Sequence, residues 1–191
     1  EVYLTGGEPF MVKGLLSFLQ LLDSSVHVRF NTNATIYNTK LFHELRRFNI
    51  VTITASIDGY GKVNDYIRRP SVWDTVEYNV YKFAEFAFVN ISPTIQVLNS
   101  LYYPDLKNWV RSNGFDLYLN PLHYPYYHNI KHTPDAVKQL LHSDIKAYSN
   151  GQTDPKEIAK FCYYTKILDS NRGVDIIDYL PELANLYNIN D

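Results

Sequence analysis

Apolar strands alternate with amphipathic helices up to residue 121, and helical stretches alone follow, which predicts an α/β fold on a parallel sheet with a helical C-terminal extension over 122–191. A third observation shapes the sheet. In the stretch 51–58, Val51, Ile53, Ala55 and Ile57 share one face, while Thr52, Thr54, Ser56 and Asp58 share the other. A parallel sheet covered by helices on both sides favours apolar residues on both faces. A small, polar face suits the wall of a ligand cavity, so a partial barrel is expected rather than an open doubly wound sheet.

The first strand is Val2-Tyr3-Leu4, and Gly6-Gly7-Glu8-Pro9 ends it. Two glycines leave the backbone bare, and Pro9 has no N–H to give to a ladder. Met11, Leu15, Phe18, Leu19 and Leu22 then fall on one helical face, with Gly14 as a weak point within it. Residues 26–31 alternate as a strand and run into the polar loop Thr32-Asn33-Ala34-Thr35. Leu41, Leu45 and Phe48 mark a second helix. The strand at 51–58 closes at Gly59, and a third helix spans about 72–88 with Val76, Val80 and Phe83 in its stripe. A strand follows from Ile91 to Asn99. Pro104 and Asp105 open a short helix through Trp109 and Val110, which Gly114 ends, and Phe115–Leu119 is the last strand.

Beyond Asn120 the alternation stops. A loop rich in Pro, Tyr and His leads to Thr133-Pro134-Asp135, an N-cap signature for a helix to about Tyr148. Asp154-Pro155 starts another helix, which Gly173 ends, and Ile176, Ile177, Leu180, Leu183 and Leu186 carry a final helical stretch in which Pro181 starts or kinks the second half.

At 191 residues, 46% hydrophobic and 20% charged, the chain fits one globular domain, or a domain with an appendage. No apolar run approaches the roughly 20 residues that span a bilayer. A net charge of −2 without a basic block offers no footprint for nucleic acid or a membrane surface. The single cysteine, Cys162, excludes an internal disulfide and points to a reducing, cytoplasmic compartment. It lies on a helical face with Ile158 and Phe161 and reads as core packing. His123, His128 and His132 stand at spacings of five and four in a Tyr-Pro loop, which suits incidental surface histidines better than a zinc site. An aldolase-type Schiff base would need a lysine on a strand beside the cavity, and none of the expected strands has one. The loop tyrosines Tyr118, Tyr124, Tyr126 and Tyr127 suit packing or contact with a substrate.

Four short motifs follow successive strands: Gly6-Gly7-Glu8-Pro9, Asn31-Thr32-Asn33, Ser56-Ile57-Asp58-Gly59 and Asp65-Tyr66-Ile67-Arg68, the last in the following loop. In identity, order and placement they resemble the radical S-adenosylmethionine (radical SAM) enzymes over residues 1–121. The ending, with Leu168-Asp169 and Leu180-Pro181-Glu182-Leu183, looks like the twitch-type extension of short members found in phage and environmental sequences.

The resemblance implies a partial (β/α)6, TIM-like barrel that lacks its first strand-helix unit here, with domains at 1–121 and 122–191. It implies S-adenosylmethionine (AdoMet) as a cofactor, together with a [4Fe-4S] cluster in the full-length protein. The backbone of Gly6 and Gly7, bounded by Glu8 and Pro9, would accept from the ammonium of AdoMet, and Ser56 and Arg68 would meet its carboxylate. Thr32 and Asn33 would face the same ligand. Asp58 shares Ser56's face and equally suits a turn before Gly59. Gln96 lies with Thr94 on one strand face and would line the cavity. Arg69 competes with Arg68, which the Asp-x-x-Arg spacing favours.

The implied reaction is reductive cleavage of AdoMet to a 5′-deoxyadenosyl radical that takes hydrogen from a substrate, with a flavodoxin or ferredoxin as electron donor. The favoured substrate is a peptide or protein side chain, and the alternative is a small molecule of pterin or deazapurine type. The family's Cys-x3-Cys-x2-Cys loop does not occur, and one thiol cannot hold a cluster. The abrupt start at Glu1 reads as a fragment whose N-terminal segment carries that loop, in which case the piece alone would be inactive. The other reading is a cluster-free barrel serving as a binding module.

Overall fold

A computed structural model describes residues 1–189; the last two positions of the expected extension lie outside them. Strands β1 (Val2–Leu4), β2 (Val28–Thr32), β3 (Val51–Ala55), β4 (Phe88–Ile91) and β6 (Asp116–Leu117) form a parallel sheet in the order β1-β2-β3-β4-β6. Val28 pairs with Val2 and Val51, and Thr52 with Phe88, so each face of one strand continues onto the next. The order follows the chain without reversal. Right-handed crossovers therefore bring successive helices onto one face.

That face is apolar. Val28, Phe30, Val51, Ile53 and Ile91 pack under α1 (Leu15–Gln20), α2 (Thr39–Leu45), α4 (Trp73–Ala84) and α6 (Tyr103–Ser112). The opposite face carries Tyr3, Arg29, Asn31, Thr52, Thr54, Phe88, Asn90 and Asp116, all half-buried or exposed. The two-faced character expected for residues 51–58 thus extends over the whole sheet.

Several boundaries differ from expectation. Residues 91–99 are not one strand: β4 stops at Ile91, β5 (Thr94–Ile95) pairs with β7 (Asn120–Pro121), and α5 (Val97–Ser100) follows at once. Pro93 lacks the N–H that a continuous ladder needs. The helix expected to about residue 88 ends at Ala84, because Phe88 is already paired with Thr52. The segment 62–67, expected as a loop, is helix α3 (Lys62–Ile67). In the first helix only Leu15 and Leu19 are buried; Met11 belongs to a preceding 3-10 turn and is 69% exposed.

The C-terminal part contains α7 (Asp135–Leu140), α8 (Ser143–Lys146), α9 (Pro155–Arg172) and α10 (Pro181–Leu186). The helix expected from Asp135 to Tyr148 breaks at Leu141–His142, both extended, and His142 caps α8 by accepting from the Asp144 N–H. Asp154 caps α9, and Pro181 starts α10. Phe161, Ile176, Leu180 and Leu183 form a second core, which also takes Val63, Tyr66, Ile95 and Tyr103 from before residue 121. Cys162 is half-buried at its edge, with its Sγ 3.6 Å from the Tyr187 carbonyl. No described helix is long and apolar enough to cross a membrane.

Candidate functional site

Because the strands are parallel, the carboxyl ends of β1, β2, β3 and β4 lie along one edge of the sheet. Gly6 (φ 90°) and Gly7 (φ 54°) turn the chain out of β1 with exposed backbone and open space around them. Glu8 then reaches across to β2. Its Oε1 accepts from the Phe10 N–H (3.2 Å) and the Thr32 hydroxyl (2.8 Å), and its Oε2 accepts from the Asn33 N–H (2.8 Å). The carboxylate is thereby spent on joining two strand ends. Thr32, expected to face a ligand, is 2% exposed and also accepts from the Ala34 N–H.

Asp58, just beyond β3, is 4% exposed and organises the next units. Its Oδ1 accepts from the Thr94 N–H at 2.7 Å, and its Oδ2 lies 2.8 Å from Arg68 Nε in an ion pair. Its backbone N–H donates to Asn64 Oδ1 (3.1 Å), and its carbonyl accepts from Asn99 Nδ2 (2.8 Å). Such a buried carboxylate is tolerated because donors surround it. Gly59 follows where a Cβ would stand 2.4 Å from Val63 Cγ1, so β3 and α3 meet without a side chain between them.

A cavity of about 700 Å³ opens beside this hub, lined by Asn33, Thr35, Asp58, Arg68, Arg69, Ser71, Thr75 and Gln96 among others. Four of the sequence-derived candidates, Asn33, Asp58, Arg68 and Gln96, therefore share one wall system. Asn33 Oδ1 is taken by the Thr35 N–H (2.9 Å) and hydroxyl, which leaves its amide N–H groups for a ligand. Gln96 is not within a strand. It caps α5 in a capping box with Asn99, whose Oδ1 accepts from the Gln96 N–H at 2.9 Å. The remaining candidates lie apart. Gly6 and Pro9 line a smaller apolar cleft of about 410 Å³ with Leu4, Val12 and Phe18, while Gly7, Glu8, Thr32 and Ser56 line neither space.

Asn64 and Asn99 are residues that sequence reasoning missed. Both are buried and hold Asp58 in place; the Gln96-x-x-Asn99 spacing is a capping-box signal that was legible, whereas nothing in the sequence marks Asn64. In the C-terminal part, His128 packs edge-on to Phe161 at 5.5 Å, and burial drives its imidazole down from 6.5 to about 4. His132 stands 5.9 Å from the Tyr126 ring, and His123 is exposed.

A parallel sheet with a cavity of mixed polar and apolar lining beside its strand ends, Arg68 and Arg69 among the lining residues, makes this an α/β protein; ligands of such folds bind at those ends. Among solved structures the chain is similar to native anSMEcpe with bound AdoMet and Cp18Cys peptide, with a TM-score of 0.54 and 14% identity over 90% of this chain and 47% of that one. It is also similar to native anSMEcpe with bound AdoMet, with a TM-score of 0.50 and 15% identity over 90% of this chain and 47% of that one. At this identity the likeness is one of fold, and the chain spans about half the length of the solved chains it matches. No family model and no curated protein sequence matches the chain.

Proposed function

We propose that this chain binds S-adenosylmethionine at the strand-end cavity and forms the AdoMet-binding part of a radical SAM enzyme that modifies a peptide or protein side chain. The carrying observation is the convergence of Asn33, Asp58, Arg68 and Gln96, from successive strand-to-helix junctions, on one cavity of about 700 Å³. The fold likeness to anSMEcpe, solved with AdoMet, supports the reading.

The residues present fit the cofactor's polar groups. Arg68 has its Nε held at Asp58, so the other guanidinium nitrogens can meet a carboxylate. Asn33 offers amide donors beside it. The exposed Gly6–Gly7 turn offers bare backbone at the same sheet end, tied to Asn33 by Glu8. Bound AdoMet supplies, on one-electron reduction, a deoxyadenosyl radical; this chain's part is to bind, orient and exclude water. An iron–sulfur cluster does not fit the same residues. The only cysteine in the sequence, Cys162, lies in the C-terminal core with its thiol pushed up by burial, the opposite of what a metal ligand needs. A cluster and an electron donor of flavodoxin or ferredoxin type would come from outside these residues, in a reducing compartment.

Calorimetric titration of the chain with AdoMet tests the reading. Arg68→Gln should weaken binding by roughly tenfold or more, as loss of a charge-assisted contact does. Absence of AdoMet binding by the wild-type chain, and also by the protein expressed with whatever coding sequence lies upstream and reconstituted anaerobically with iron and sulfide, would sink it.

A further inference from the structure

Helix α3 is only six residues long, too short to hold its shape alone. Its position is set from two sides. On the cavity side, Arg68 at its C-terminus pairs with Asp58, and Asn64 accepts from the Asp58 N–H. On the other side Tyr66 enters the C-terminal core, 1% exposed, and donates to Asp169 Oδ1 of α9 at 2.8 Å. Asp169 Oδ2 accepts from the Ile176 N–H at 2.8 Å, and Arg172 Nη1 donates to the Tyr66 carbonyl at 3.0 Å. The Tyr66 ring also lies 5.5 Å from the Tyr179 ring.

Arg68 ends α3 as its C-cap (φ −106°), and its N–H still donates to the Asn64 carbonyl at 2.8 Å, so its backbone follows the position of the helix. A grip on Tyr66 therefore fixes the rotation of α3, and that rotation decides where Arg68 reaches. We infer that Tyr66 and Asp169 are positioning residues for Arg68, through which α9 of the C-terminal part sets the geometry of the cavity. Neither side chain lines that cavity. The consequence for AdoMet rests on the proposed function; the consequence for Arg68 does not.

Two readouts separate the two claims. The first is the Arg68 Nε–H resonance, assigned by its loss in Arg68→Lys and recorded without ligand. In Tyr66→Phe it should shift and exchange faster with solvent as the Asp58 pair loosens. Asp169→Asn should do the same and serves if Tyr66→Phe folds poorly. Leu183→Ala, which opens the same core away from α3, should lower the melting temperature and leave the resonance in place. The second readout is AdoMet affinity. Tyr66→Phe should raise Kd by roughly tenfold, within the range of couplings carried by residues that do not touch a ligand. In an Arg68→Gln background the same change should have no effect on Kd. A resonance unmoved in folded Tyr66→Phe and Asp169→Asn overturns the inference, as does an equal loss of affinity in both backgrounds. If the resonance moves in the variants while neither the wild-type chain nor the extended, reconstituted protein binds AdoMet, the positioning role stands and the proposed function falls instead.

Discussion

Around the sheet, Phe10, Phe30, Phe42 and Phe83 meet ring to ring at 5.0 to 5.7 Å, and the buried Asn79 amide of α4 donates to the Ala34 carbonyl of the same core at 2.8 Å. The C-terminal core also relies on aromatic rings, but its tyrosines bring hydroxyls that must be bonded. Tyr66 donates to Asp169 and Tyr103 to Asp144, each at 2.8 Å, while Tyr187 shares a hydrogen bond with the Thr133 hydroxyl. Burial pushes all three phenols above their ordinary value of 10, so they stay protonated. The first core is held chiefly by shape and dispersion, with one buried amide bonded to backbone, whereas the second adds several buried hydroxyls that need partners. The first should answer to volume changes, the second also to pH and to single lost hydrogen bonds.

Phe42→Ala gives the largest expected effect. Phe42 is fully buried among four aromatic neighbours, and its loss should cost ~3–5 kcal/mol in urea unfolding. The cost should be nearly the same at neutral and mildly acidic pH, and a strong pH dependence would break the contrast between the cores.

Acidification should expose the second core. His128 is held at about 4 in the folded chain against 6.5 ordinarily, so between these values the unfolded chain binds a proton that the folded chain does not. Stability from this group is complete above about pH 6.5 and is lost as pH falls towards 4, by up to ~3 kcal/mol. Asp65 and Asp169, raised by burial, act in the opposite sense, because the folded chain then holds the proton more tightly. The difference between wild type and His128→Gln, followed by urea unfolding across that window, isolates the histidine. Parallel pH profiles for the two proteins would refute its role.

Thr133→Val sharpens the comparison on the smallest scale. It keeps the shape and leaves the buried Tyr187 hydroxyl without its partner, for an expected loss of ~1–2 kcal/mol. An unchanged melting temperature would show that this hydrogen bond does not help to close the second core.

The sequence announced the sheet well where side chains alternate between water and core. Residues 51–55 and 28–32 show their burial pattern directly in the spacing of Val, Ile and Phe. It announced poorly what depends on partners distant along the chain. The helical state of 62–67 rests on Tyr66 meeting Asp169, 103 residues away, and no local spacing records that. At the site, Asn33 and Asp58 were legible as polar residues at strand ends and Arg68 as a loop arginine, whereas Gln96 was expected within a strand and instead caps α5. The use of Glu8 as a brace between β1 and β2 was not legible, because a carboxylate beside glycines looks the same whether it faces a ligand or the next strand.

By itself the sequence determined the alternation of strands and helices, the polar second face of β3 and the glycine turn after β1, since these follow from side-chain periodicity and backbone sterics within a few residues. Only the tertiary structure decided which candidates share a cavity, that Asp58 takes Arg68 as its partner, and that the C-terminal helices grip the back of α3. Those outcomes depend on distances between segments far apart in the chain, where buried charges and hydroxyls must find donors and acceptors wherever packing places them.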